Sequence, residues 1–169
     1  VVMAPWAWSA TVPTVLLTVL MARHGFATHL LGWQVFGATV VSIWAWALAG
    51  IALGLSIPLA VAAPLALAIP LAWVIFPPGM SIYWLRHLTG EWIDCCSVTQ
   101  TLDPAVVAGT AAVNLGLLLA SGLAVQARVV RKGRNLLLTT SIVVLAGGLV
   151  IGASQVNQMD AFPTRPREM

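Results

Sequence analysis

About five apolar runs divide this chain. Several reach the roughly 18 residues that span a bilayer as a helix, and none carries an acidic or basic residue inside it. No other feature narrows the fold as much. In hydrocarbon every backbone N–H and C=O must find its partner within the segment, so each run is predicted to be a helix. The predicted fold is all-α, a polytopic transmembrane helical bundle in one integral-membrane domain.

A water-soluble alternative fails on charge. Soluble domains carry about 25% charged residues, whereas this 169-residue chain has 8% and is 60% hydrophobic. The formal charge of +3 does not point to nucleic acid. Four of the eight basic residues (Arg128, Arg131, Lys132 and Arg134) fall in one short loop between apolar runs, the pattern of a topogenic signal. The first residues lack a positive n-region, and no small-residue cleavage site ends the first run, so that run is expected to stay as an uncleaved anchor.

The predicted spans are residues 4–21, 33–55, 57–76, 104–127 and 136–154. The first opens with Trp6 and Trp8, placed where amphipathic rings favour the headgroup level. The second ends in Gly50 and Gly54, and the last contains Gly148 and Gly152. Both pairs have the GxxxG spacing that lets a second helix backbone come close. The third holds Pro64 and Pro70, which remove backbone donors and are expected to kink or locally break it. Asn114 in the fourth is a candidate interhelical hydrogen bond. Asp103 and Pro104 read as a cap and first turn, and Asn135 as the cap of the last span. The tail from residue 155 onward is polar and expected to be loose.

Residues 77–104 form the one long polar interruption. Ile82, Tyr83, Trp84, Leu85, Leu88, Trp92 and Ile93 recur near helical spacing there, predicting a short interfacial helix. Cys95 and Cys96 are adjacent, a spacing ill-suited to a bridge between them. They are open to pairing with another subunit, to staying reduced, or to binding metal together with His87. No CxxC, HExxH or HxxxH pattern accompanies them.

With five spans the chain ends lie on opposite sides. Placing residues 128–135 in the cytoplasm puts the N-terminus inside and residues 77–103 outside. No phosphate-loop or GxSxG motif is present, and no charge sits within a span to couple ion movement. Enzymatic activity and cofactors are therefore not predicted.

The stretch WAWALAGIALGLSIPLAVAAPLALAIPLAWVIF resembles the membrane permease subunits of ATP-binding-cassette exporters. The likeness lies in the Gly-rich helix end from Ala49 to Gly54, the proline turn after it, and the Ala/Pro-rich run around Pro64. With the stretch from Pro77 to Asp103, which stands where that family has an extracytoplasmic segment, the resemblance covers about a third of the chain. Such permeases commonly have more spans and an interfacial helix before the first, so this chain departs from their pattern. The resemblance implies a transport-complex subunit in a bacterial cytoplasmic membrane, partnered by other membrane subunits or a separate ATPase. The alternatives are a structural or assembly subunit of a larger membrane enzyme complex, and a metal- or redox-handling protein using the vicinal cysteines.

Overall fold

The computed structural model describes residues 12, 16, 19, 33–90, 100–130, 133–157 and 164–166. The chain is mostly helical. Among the described residues four helices are long and apolar enough to cross a membrane: Gly37–Gly54, Leu59–Gly79, Pro104–Val129 and Arg134–Val156. By length and composition this is an integral membrane protein. Val12, Leu16 and Val19 are helical and exposed. The rest of the predicted span at residues 4–21 lies outside the described residues.

Helix α1 (Trp33–Gly54) turns into α2 (Leu59–Ile75) through a short connection. Ser56 Oγ donates to the Ala52 carbonyl at 2.6 Å, taking up an acceptor that the helix end would leave open. The Pro58 carbonyl then accepts the N–H groups of Val61 and Ala62, each at 2.9 Å. Helix α2 runs unbroken through both Pro64 and Pro70. Each proline removes a single donor, a loss that a helix in lipid can absorb by local adjustment. A 3-10 turn at Pro77–Gly79 ends this arm.

Helix α3 (Tyr83–Leu88) is shorter than the apolar periodicity predicts. Gly90, at φ 78°, stops it, because this left-handed conformation cannot continue a right-handed helix. Trp92 and Ile93 lie outside the described residues. Helix α4 (Pro104–Val129) starts on a true cap, with the Ala105 N–H donating to Asp103 Oδ1 at 2.8 Å. Helix α5 (Arg134–Val156) starts differently from the expectation. Its cap position is Gly133, at φ 80°, and Asn135 is already inside the helix. Glycine takes up the left-handed backbone that this four-residue turn requires.

Strands β1 (Gln100–Leu102) and β2 (Thr164–Pro166) pair antiparallel, with Gln100 opposite Pro166 and Leu102 opposite Thr164. The pairing is three residues long and leaves the fold mostly helical, as expected, but it holds part of the tail that was expected to be loose. The last helix continues to a fully buried Val156, and residues 164–166 return to the strand that precedes α4.

Helix α4 is the centre of the bundle. Half of it is buried, against 17% of the α1 span, 6% of the α2 span and 11% of the α5 span. Helix α5 returns antiparallel along one side of α4, and α1 packs along another. Helix α2 packs chiefly on α1. The apolar core gathers at one end of the bundle, from Ala38, Leu88, Leu102, Val106, Val107, Val113 and Val156, with Trp73 and Ala153 against it. The basic turn between α4 and α5 is at the other end.

Candidate functional site

The most organised part of the molecule is the α4–α5 seam and the short helix α3 docked at its end. Two glycines of this seam, Gly116 and Gly148, meet only backbone, and a third, Gly152, meets both backbone and side chain. A methyl group placed on Gly116 would lie 2.9 Å from the Gly148 Cα, and one on Gly148 would lie 2.9 Å from the Gly116 Cα. At Gly152 the added carbon would meet Val113 Cγ2 at 2.7 Å and the Gly109 carbonyl at 2.8 Å. Such distances leave no room for a β-carbon. The helices therefore approach as closely as small residues permit, which is how helices associate where lipid removes the hydrophobic drive between them. Ser141 Oγ closes the seam further along by donating to the Ala120 carbonyl of α4 at 2.7 Å.

Helix α3 fits over the open end of this seam. Its last two residues, His87 and Leu88, are 1% and 0% exposed. The Leu88 side chain lies between the helices, so that methyl groups on Gly109 and on Gly152 would each come within 3.2 Å of Leu88 Cδ2. Thr110 Oγ1 donates to the His87 carbonyl at 3.0 Å. One turn further along α4, Asn114 Nδ2 donates to the Thr110 carbonyl at 2.9 Å. His87, Thr110 and Asn114 thus line a buried polar strip in an apolar bundle. Thr110 serves both neighbours, accepting from Asn114 and donating to α3. A buried polar group without such partners would cost about 2 kcal/mol or more.

The predicted site residues have different outcomes. Gly148 and Gly152 are at the closest helix contact among the described residues, whereas Gly50 and Gly54 are not. A methyl group on Gly50 would meet only Ala66 Cβ at 3.8 Å, and one on Gly54 would meet nothing within 4 Å. Asn114 is buried as a polar residue of the seam, but the bond described for it is to its own helix four residues back. Pro64 and Pro70 sit inside a continuous α2. Arg128 occupies the last turn of α4 and Arg134 begins α5, both exposed. Arg131 and Lys132 lie outside the described residues, as do Cys95 and Cys96. Of the proposed metal group only His87 is described, and among the described residues no three His, Cys, Asp or Glu side chains gather.

Sequence reasoning missed Gly109, Gly116, Thr110 and Leu88. The two glycines are seven apart, two helical turns, so they face the same way as Val113 and Ala120. That spacing is a legible signal, although it is not GxxxG. Leu88 carried no signal distinguishing it from its apolar neighbours in the polar stretch.

An open apolar groove of about 360 Å³ runs between α1, α2 and α3, lined by Trp46, Ile69, Trp73, Phe76, Pro77 and Leu85. Its lining offers shape and apolar surface, with the two indole N–H groups as its side-chain donors.

Compared with family models, with curated proteins and with solved structures, the chain matches none.

Proposed function

We propose that this chain is a non-catalytic integral-membrane subunit of a transport complex, permease-like in kind and driven by a separate ATPase. The observation that carries the reading is α2. It is apolar along its whole length and bears two prolines, yet only 6% of its span is buried. Leu59, Leu67 and Leu71 are exposed by 60% or more. Such a helix offers a full face to a neighbouring transmembrane helix, beside the groove that it forms with α1 and α3. Within the four described spans the charged side chains are Arg128 and Arg134, at the ends. A transporter with no ionisable group inside its spans must take its driving force from a partner.

In the proposed arrangement five spans cross a bacterial cytoplasmic membrane, with the N-terminus and the α4–α5 turn inside. Helix α3 then lies at the outer boundary. Its docking at the end of the bundle opposite the basic turn fits that orientation.

A second reading is a structural or assembly subunit of a larger membrane enzyme complex. The α4–α5 seam favours it, because Gly109, Gly116, Gly148 and Gly152 pack the chain's own helices together rather than line a path.

Mild-detergent purification from the native membrane, followed by mass spectrometry of what stays bound, separates the two. A co-purifying nucleotide-binding ATPase supports the transport reading. Cofactor-bearing membrane subunits without an ATPase would replace it with the second.

A further inference from the structure

The α4–α5 hairpin has all its charge at one end. From Pro104 to Met159 there is no Asp or Glu, and the four cations of the segment fall within seven residues, at 128, 131, 132 and 134. Nothing in the hairpin compensates them. Arg128 in the last turn of α4 and Arg134 in the first turn of α5 are both exposed. Gly133, at φ 80°, leads directly into Arg134, and Arg131 and Lys132 stand between Arg128 and Arg134 in the sequence. Val129 and Leu136 flank the cluster at 76% and 71% exposed, and Ile142 and Val143 continue the apolar surface along α5. In a bilayer those residues belong in hydrocarbon, which sets the cations at the level of the lipid phosphates. An open groove of about 380 Å³ lies there, lined by Gly133, Arg134, Asn135 and Leu136.

We propose that this end of the hairpin is a docking surface for anionic phospholipid headgroups, with Arg128 and Arg134 as the described cations that hold them. The argument is charge complementarity at a fixed depth. A cluster of this size beside a spanning helix attracts anionic lipid, each cation near the surface giving about a fivefold preference. The guanidinium groups add bidentate contacts to phosphate oxygens. The inference rests on the membrane-spanning fold and is independent of the transport reading.

The test uses the full-length protein in bilayer nanodiscs of phosphatidylcholine mixed with phosphatidylglycerol. Lipids retained after gentle extraction are quantified by mass spectrometry. The expected result is enrichment of phosphatidylglycerol over its share of the nanodisc. That enrichment should fall by about fivefold or more in Arg128→Gln/Arg134→Gln and survive in Arg128→Lys/Arg134→Lys. If the glutamine variant inserts poorly, the wild-type protein still decides. Raising salt from about 0.15 M to about 1 M shortens the screening length from about 8 Å to about 3 Å and should erase most of the enrichment. Retention of the two lipids in proportion, or enrichment unchanged by both the glutamine variant and salt, would overturn the proposal. Displacement of phosphatidylglycerol by millimolar inorganic phosphate would also overturn it, showing a site for the free anion instead.

Discussion

The two long hairpins of this protein are built from equally oily sequence and are held together differently. In α4–α5 the helices touch backbone to backbone at Gly116 and Gly148, and a serine hydroxyl bonds across to the facing carbonyl. In α1–α2 the nearest glycine contact is an ordinary 3.8 Å approach of Gly50 to Ala66, and most of α2 is left uncovered. Helix α4, with Thr110, Asn114 and Ser121 on its inner side, is half buried, while the more apolar α2 and α5 are mostly exposed. This is the inverse of a water-soluble bundle. Lipid is as good a solvent for leucine as a protein core is, so only close packing and polar contacts distinguish inside from outside.

That contrast can be broken most severely at the seam. Gly148→Val or Gly152→Val should destabilise the protein by about 3 kcal/mol or more, because the new side chain meets backbone that cannot move aside. Thermal unfolding in mild detergent reads this directly. An unchanged melting temperature would mean that the helices do not meet there. Leu88→Ala should cost about 3 kcal/mol by emptying a fully buried position between α4 and α5. Faster proteolysis near α3 would localise the loss.

Smaller changes sharpen the picture. Thr110→Ala removes the bond that ties the His87 carbonyl to α4 and should cost about 1 kcal/mol. Hydrogen exchange should then rise in α3 before it rises in α5. Ser141→Ala deletes the cross-helix bond to Ala120, with an expected loss of about 0.6 kcal/mol. The smallest effect belongs to the other hairpin. Gly54→Ala should change stability by less than about 0.5 kcal/mol, since nothing lies within 4 Å of the new methyl group. A loss as large as that at Gly148 would erase the distinction between the hairpins.

The same spacing rule gave opposite outcomes at its two occurrences. Gly148 and Gly152 lie against α4, but Gly50 and Gly54 have no close partner among the described residues. GxxxG states that a helix is able to be approached closely. It does not state that another helix is there. What distinguishes the two is the facing surface: Gly109 and Gly116, two turns apart, and Ala120 one turn further line up opposite α5, whereas Gly50 meets Ala66 alone. The polar stretch shows the complementary failure. Its helical periodicity was legible, but its extent was not, because Gly90 ends α3 early and tertiary contact with α4 and α5 buries His87 and Leu88.

The sequence by itself determined that the chain enters a membrane as helices. Runs of apolar residues of spanning length have no other way to satisfy their backbone in lipid. It also determined where the cations collect, since charge position is written directly in the residues. Only the tertiary structure decided that α4 is central, that α5 rather than α2 is its close partner, and that Leu88 closes their end. Those outcomes depend on which small surfaces meet in register and on a few buried hydrogen bonds. Mean hydropathy carries little information about either, because the apolar faces of these helices are all equally soluble in hydrocarbon.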